Sequence, residues 1–203
     1  MAKALRFDRL VKNREIVGML IEGSCQHRTR NGYKILPDYK YWKRAREFIA
    51  SAINKDGKIL DIGCANGFLL LCLQSWSGKK LVPYGIDSNP HVVVDAQRLF
   101  PKYKQNFTRM RIQELSDLPG KYDVIYWNVW DNWDFKTKEE IRPVRECLRH
   151  IKKGGRLILG FYHTDRGINA GKIKRLGKIG FKISGVLQNK HITHLMIAWM
   201  DKL

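Results

Sequence analysis

The sequence predicts an α/β protein: a doubly wound, mostly parallel sheet with a final antiparallel strand, preceded by an N-terminal helical extension. Three observations carry this. From Lys58 onward short apolar strands (KILDIG, LVPYGID, FTRMRI, YDVIYWN, RLILGFY) alternate with helical stretches, the pattern of a parallel sheet covered on both faces. The stretch KILDIGCANGFLL reads as strand, tight turn and helix start. In the tail, FKISGVL and THLMIAWM are two strands joined by the short link QNKHI, a hairpin.

The elements follow in order. Leu10, Val11, Val17, Leu20 and Ile21 lie on one helical stripe, and Gly23 is placed to stop that helix. A polar, basic link follows, GSCQHRTRNGYK. Asp38 is positioned to cap a second helix that buries Trp42, Ala45, Ile49 and Ile53. Residues 1–54 form the extension in this reading, and 55–203 the main domain. Asn66 caps the helix that starts near Phe68. Asn89 and Pro90 begin the next helix as cap and first turn. Further on, Thr137 and Glu140 form a capping-box pair ahead of Ile141, Val144, Leu148 and Ile151, with Pro143 predicting a kink or a later start. Gly154 and Gly155 are expected to end that helix.

The chain of 203 residues carries 38 basic and 19 acidic residues, a formal net charge of +19. Residues 1–50 hold 12 basic and 5 acidic, residues 51–150 hold 15 and 12, and residues 151–203 hold 11 and 2. The excess therefore sits at the two ends. Such a field attracts polyanions or phosphorylated small molecules; the alternative is a solvated basic surface. No apolar run has membrane-spanning length, and MAKALRFDRL is not a secretory signal. Cytoplasmic residence without integral membrane association is the expectation. Cys25, Cys64, Cys72 and Cys147 lack metal-ligand spacing, so free buried thiols are expected and no metal.

The loop after the first strand defines the ligand. Gly63 and Gly67 let the backbone turn tightly and approach a ligand. The middle glycine of the dinucleotide fingerprint is missing, and Asp61 at the loop entrance repels a pyrophosphate but suits a cation. Asp87, at the end of PYGID and 20 residues after Gly67, is placed to accept hydrogen bonds from ribose hydroxyls.

With LDIGCANG, YGIDSNP, YDVIYWNV and LRHIKKGGRLILGF in this order, the sequence resembles the class I S-adenosylmethionine-dependent methyltransferases over about residues 40–203. The resemblance implies a seven-stranded, Rossmann-like sheet whose last strand is antiparallel. It implies S-adenosylmethionine as cofactor and S-adenosylhomocysteine as product. It places Asp61, Gly63, Cys64, Ala65 and Gly67 at the methionine end and Asp87 and Ser88 at the ribose. Ile112 and Gln113 fall at the adenine, and Asn128 and Val129 near the reactive methyl. Tyr41 resembles a tyrosine that closes over the methionine carboxylate. Two positions depart from the family's pattern. Ala65 replaces a usual glycine, which a slightly wider turn would accept. Arg111 stands where relatives often carry an acid, so Gln113 takes the adenine contact.

Methyl transfer needs a base only where the acceptor must lose a proton. His163 and Asp131, at strand ends, are the candidates; Asp165 is a third. A structural loop histidine is the competing reading of His163. Trp130 and Trp133 follow the fourth strand and are placed to stack on a planar substrate or to pack under the next helix; Trp127, within the strand, is core. Arg166 is a substrate candidate, and Arg28, Arg30, Lys34, Lys172 and Lys190 are expected with it around the pocket. The expected function is methyl transfer to an oxygen or nitrogen of an unidentified, anionic substrate, a small molecule or RNA. The other classes are a cofactor-binding module without catalysis, a nicotinamide-dependent oxidoreductase and an aminopropyl transferase.

Overall fold

The computed structural model describes residues 2–24 and 38–203, with side chains described from Phe7. Arg28, Arg30, Lys34 and Cys25 lie outside the described residues. Helices α1 (Ala2–Lys12), α2 (Arg14–Ser24) and α3 (Tyr39–Arg46) precede the sheet. The strands are β1 (Gly57–Ile62), β2 (Leu81–Asp87), β3 (Phe107–Arg109), β4 (Tyr122–Val129), β5 (Ile151–Phe161), β6 (Gly185–Gln188) and β7 (Met196–Asp201). Between them lie α4 (Phe68–Trp76), α5 (Pro90–Leu99), α6 (Lys138–His150) and α7 (Arg166–Lys178).

The seven strands pair in the order β3-β2-β1-β4-β5-β7-β6. β7 is antiparallel to both of its neighbours, and the other pairings are parallel. Strand order reverses between β1 and β4, so their carboxyl ends diverge into a crevice, the place where such sheets bind ligands. Two apolar layers cover the sheet. One gathers Leu60, Ile125, Trp127, Val144 and Leu159; the other gathers Ile59, Leu70, Leu73, Val124 and Ile158. A third cluster joins Phe7, Val17, Ile21 and Trp42 of the extension to Phe68 and Cys72 of α4. Cys64, Cys72 and Cys147 are free and buried.

Several boundaries differ from the sequence reading. The first helix is two, because Asn13 interrupts it and its Oδ1 accepts from the Ile16 amide (3.1 Å). Gly23 does not stop α2; it gives Asn66 room, since a Cβ there would lie 2.8 Å from Asn66 Nδ2. FTRMRI is a strand only over Phe107–Arg109. The Arg111 amide then donates to Glu114 Oε2 (2.8 Å), which opens a 3₁₀ turn over Ile112–Asp117. α6 keeps Pro143 inside and ends at His150, before Gly154 and Gly155. Those glycines belong to β5, where Gly155 passes the Asp123 carbonyl so closely that a Cβ would lie 2.7 Å from it.

The N-cap of α4 is Gly67 rather than Asn66; Asn66 stands one residue earlier, and its Oδ1 accepts from the Phe68 amide (3.1 Å). Asn89 and the Thr137–Glu140 pair cap α5 and α6.

Candidate active site

The carboxyl ends of the parallel strands frame an open crevice of about 680 Å³. β1 contributes Ile62 and its following loop Gly63 and Ala65. β2 contributes Ile86, Asp87 and Ser88. Met110 to Gln113 come from the turn after β3, and Asn128 to Asp131 from the end of β4. Tyr162 follows β5, and Ser24 and Arg46 come from the extension.

The glycine loop is built by backbone geometry. Gly63 has φ +77°, and a Cβ there would meet nothing within 4 Å, because the space in front of it is the crevice. Ala65 is left-handed too, at φ +47°. The turn has not widened to accept its side chain; it holds alanine in a conformation that costs roughly 1–2 kcal/mol. The Ala65 amide donates to Asp87 Oδ2 (3.0 Å), which ties this loop to β2. Asp87 Oδ1 accepts from the Asn89 amide (2.9 Å). A carboxylate fixed by two amides is held in one orientation at the crevice wall. Gly67, also at φ +77°, does not line the crevice; its site packs against Ala96 and Phe100 at the end of α5.

Asp61 is 2% exposed and lies beneath the crevice. Burial, followed by the charge of Asp87, pushes its carboxyl well above the usual carboxylate range. The same burial raises the Cys64 thiol. Cys64 packs beside Gly85 rather than facing the ligand.

Arg46 brings positive charge to this end. Its guanidinium lies over the Trp42 ring, 3.6 Å from the centroid, with the Tyr162 ring at 5.8 Å. Sequence reading missed it. The signal was an arginine four residues after Trp42, one helical turn on. Tyr41, the residue named from resemblance, is 53% exposed and is not among the lining residues.

The remaining candidates divide. Ile112, Gln113, Asn128, Val129, Ser88, Trp130 and Asp131 all line the crevice. Trp130 is 50% exposed. Trp133 is not a lining residue; its Nε1 donates to the Glu140 carbonyl (2.8 Å), and its ring meets Trp127 edge-on. His163 is not among the lining residues either. Its Nδ1 accepts from the Asp165 amide (2.9 Å), and Asp165 caps α7. Arg166 is exposed at the start of α7, and Lys190 is exposed in the link after β6. Lys172 is buried rather than on the rim.

The three segments expected around the pocket are hydrogen-bonded to one another, although the loop HTDRGINAGK and the link QNKHI supply no lining residue. Asn189 Nδ2 donates to the Arg44 carbonyl (2.7 Å), joining the hairpin link to α3. Asn169 Nδ2 donates to the carbonyls of His163 (2.8 Å) and His194 (2.7 Å), joining the loop after β5 to the same link. Among the described residues no cluster of His, Cys, Asp or Glu is arranged to hold a metal. No helix among them is long and apolar enough to cross a membrane.

Residues 59–155 match the family model described as a methyltransferase domain. Solved structures share the fold. The Methanococcus jannaschii fibrillarin pre-rRNA processing protein aligns at 16% identity, 79% of this chain and 76% of that one, with a TM-score of 0.58. The N-methyltransferase NodS from Bradyrhizobium japonicum aligns at 14% identity, 82% and 99% coverage, and 0.61. A TehB-like SAM-dependent methyltransferase from Corynebacterium glutamicum aligns at 18% identity, 79% and 87% coverage, and 0.57. Comparison with curated proteins finds no significant match.

The sheet and crevice are the Rossmann-like fold that these methyltransferases share, and residues 59–155 match a methyltransferase domain, whose cofactor is S-adenosylmethionine. The matched segment carries the glycine loop, Asp87 and the end of β4, so it supplies most of the crevice lining, while Ser24, Arg46 and Tyr162 come from outside it. The residues present fit that cofactor. The space before Gly63 is open, Asp87 is held by two amides at the crevice wall, and Arg46 lines the crevice with a guanidinium.

Proposed function

We propose that the protein moves a methyl group to an oxygen or nitrogen of an anionic substrate, an RNA or an acidic small molecule. The observation that carries this reading is the charge: +7 over residues 1–50 and +9 over residues 151–203, against +3 for the 100 residues between. The α3 end of the extension, the loop after β5 and the link after β6 are hydrogen-bonded to one another, which supports a shared basic surface.

When bound, S-adenosylmethionine supplies a methyl group already activated on a sulfonium. The chain's own work is to bind, orient and exclude water. In this proposal Asp87 orients the ribose and Ile112 and Gln113 border the adenine. Arg46 faces the carboxylate and Asp61 favours the cationic groups from below. Asn128 and Val129 border the transfer site. Trp130 offers a half-exposed indole to a planar acceptor, worth about 1–3 kcal/mol if a base stacks there. Asp131 is the lining residue able to take a proton from the acceptor.

Incubation with methyl-labelled S-adenosylmethionine and cell extract, followed by separation of RNA, protein and small molecules, tests this. Label in an RNase-sensitive or acidic small-molecule fraction is expected. Label confined to neutral metabolites would overturn the anionic reading.

A further inference from the structure

α7 carries Lys172, a lysine 4% exposed. Its ammonium makes no ion pair with a carboxylate among the described residues. Instead Nζ donates to the main-chain carbonyls of Asp131 (2.7 Å) and Trp130 (3.4 Å). One turn on, Arg175 Nη1 donates to the Asp134 carbonyl (3.1 Å). Two cations spaced three residues apart on one helix face thus hold the chain that leaves β4.

The other side of this loop is held by α6. Glu140 accepts the amides of Lys136 (2.6 Å) and Thr137 (3.3 Å), and its carbonyl takes the Trp133 indole N–H. The Trp133 amide closes the turn onto the Trp130 carbonyl (3.0 Å). Trp130 rests against Trp133, ring centroids 5.3 Å apart, while its own face stays half exposed at the crevice.

Burying an ammonium is costly, and burial draws the Lys172 pKa down despite the fields of Asp134, Asp131 and Glu140. An apolar side chain would avoid that cost but leave two carbonyls without this donor. The expense falls on the two residues that form the acceptor side of the crevice.

We propose that Lys172 is a positioning residue for the methyl acceptor, fixing the Trp130–Asp131 backbone so that the indole is held at the crevice mouth. This rests on the reading of Trp130 as an acceptor wall.

The test compares Lys172→Met, Lys172→Arg and Trp130→Ala. It uses hydrogen exchange at the Trp133 amide, calorimetric binding of S-adenosylhomocysteine, and methyl transfer to a dilution series of cell extract. Lys172→Met is expected to speed exchange at least tenfold and to leave S-adenosylhomocysteine affinity within twofold. The half-saturating amount of extract should rise at least fivefold with an unchanged plateau. Lys172→Arg should recover most of that saturation. Unchanged exchange overturns the inference, as does faster exchange with unchanged saturation, or an equal loss of S-adenosylhomocysteine binding. Should Lys172→Met fail to fold, Lys172→Gln carries the same comparison. If Trp130→Ala leaves saturation unchanged, or extract takes no label at all, the acceptor reading falls and the inference with it. A shift in Trp130→Ala without one in Lys172→Met removes the role of Lys172 alone.

Discussion

Asp61 and Arg46 put a buried carboxyl and a guanidinium at one end of the crevice, and each has a separable consequence. Because the folded state raises the Asp61 carboxyl above its ordinary 3.8, the folded protein keeps a proton that the unfolded chain releases. Stability from this group is full below that value and is lost as pH rises through the gap. Each unit of elevation costs about 1.4 kcal/mol at neutral pH. Asp61→Asn removes the cost, so the cofactor-free variant should melt at a higher temperature at pH 7 by calorimetry. The difference should vanish in acid. Its affinity for S-adenosylmethionine should fall about tenfold, because a bound cationic ligand favours ionisation of a carboxyl and asparagine cannot ionise. A lower melting temperature at pH 7 would show that the carboxylate is stabilising rather than strained. For Arg46→Met the contrast lies between ligands. S-adenosylhomocysteine should bind about 10- to 100-fold more weakly, a charge-assisted bond being worth about 1.5–3 kcal/mol. 5′-Methylthioadenosine, which has no carboxylate, should bind as before. Equal losses for both would assign Arg46 to the fold. Asp61 and Asp87 were legible in sequence because each ends an apolar run. Arg46 was not, because its role depends on Trp42 and Tyr162, which only tertiary structure brings to it.

At the scale of elements, a single side chain couples the extension to the glycine loop. Asn66 accepts from the Phe68 amide at the start of α4 through Oδ1 and donates from Nδ2 to the Leu20 carbonyl (2.8 Å) in α2. Asn66→Ala should cost about 1–2 kcal/mol, the two bonds together. Limited proteolysis should then cut within residues 1–24 before the sheet unfolds. Loss of stability without earlier cleavage would mean that the Phe7, Val17 and Trp42 cluster alone holds the extension. The start of α4 was readable near Phe68, but its N-cap is the left-handed Gly67, one residue after the asparagine that local rules favour. The bond to Leu20 was not readable, since it spans 46 residues. The same division explains the boundary differences. Gly154 and Gly155 look like a helix stop by local rules, yet Gly154 serves a left-handed turn within β5 (φ +69°) and Gly155 the close approach to Asp123. The short β3 strand ends where Glu114 captures the Arg111 amide, a contest between strand and turn that alternation cannot decide.

Over the whole molecule, the question is whether the basic ends act together. β6 runs parallel to β5, so the link after β6 and the start of α7 both lie at the carboxyl edge of the sheet, and Lys190 and Arg166 are exposed in those segments. The segments are joined through Asn169 and Asn189, and in the proposed function their charges address one ligand as a unit. Binding to single-stranded RNA should then follow counterion release, with a log–log slope against salt of about −0.7 for each phosphate neutralised. Four such contacts give a roughly fiftyfold loss of affinity between 50 and 200 mM salt. Replacing Arg166 and Lys190 by alanine should reduce that slope by about 1.4, at unchanged S-adenosylhomocysteine affinity. Titrations of the protein and the double variant with total RNA at several salt concentrations make the measurement. A steep slope that the double variant keeps would place the polyanion on another basic face, away from the crevice. A flat slope would leave the charge as a solvated surface and direct the search to small acidic acceptors, for which Arg111 in the crevice wall is the next cation to substitute.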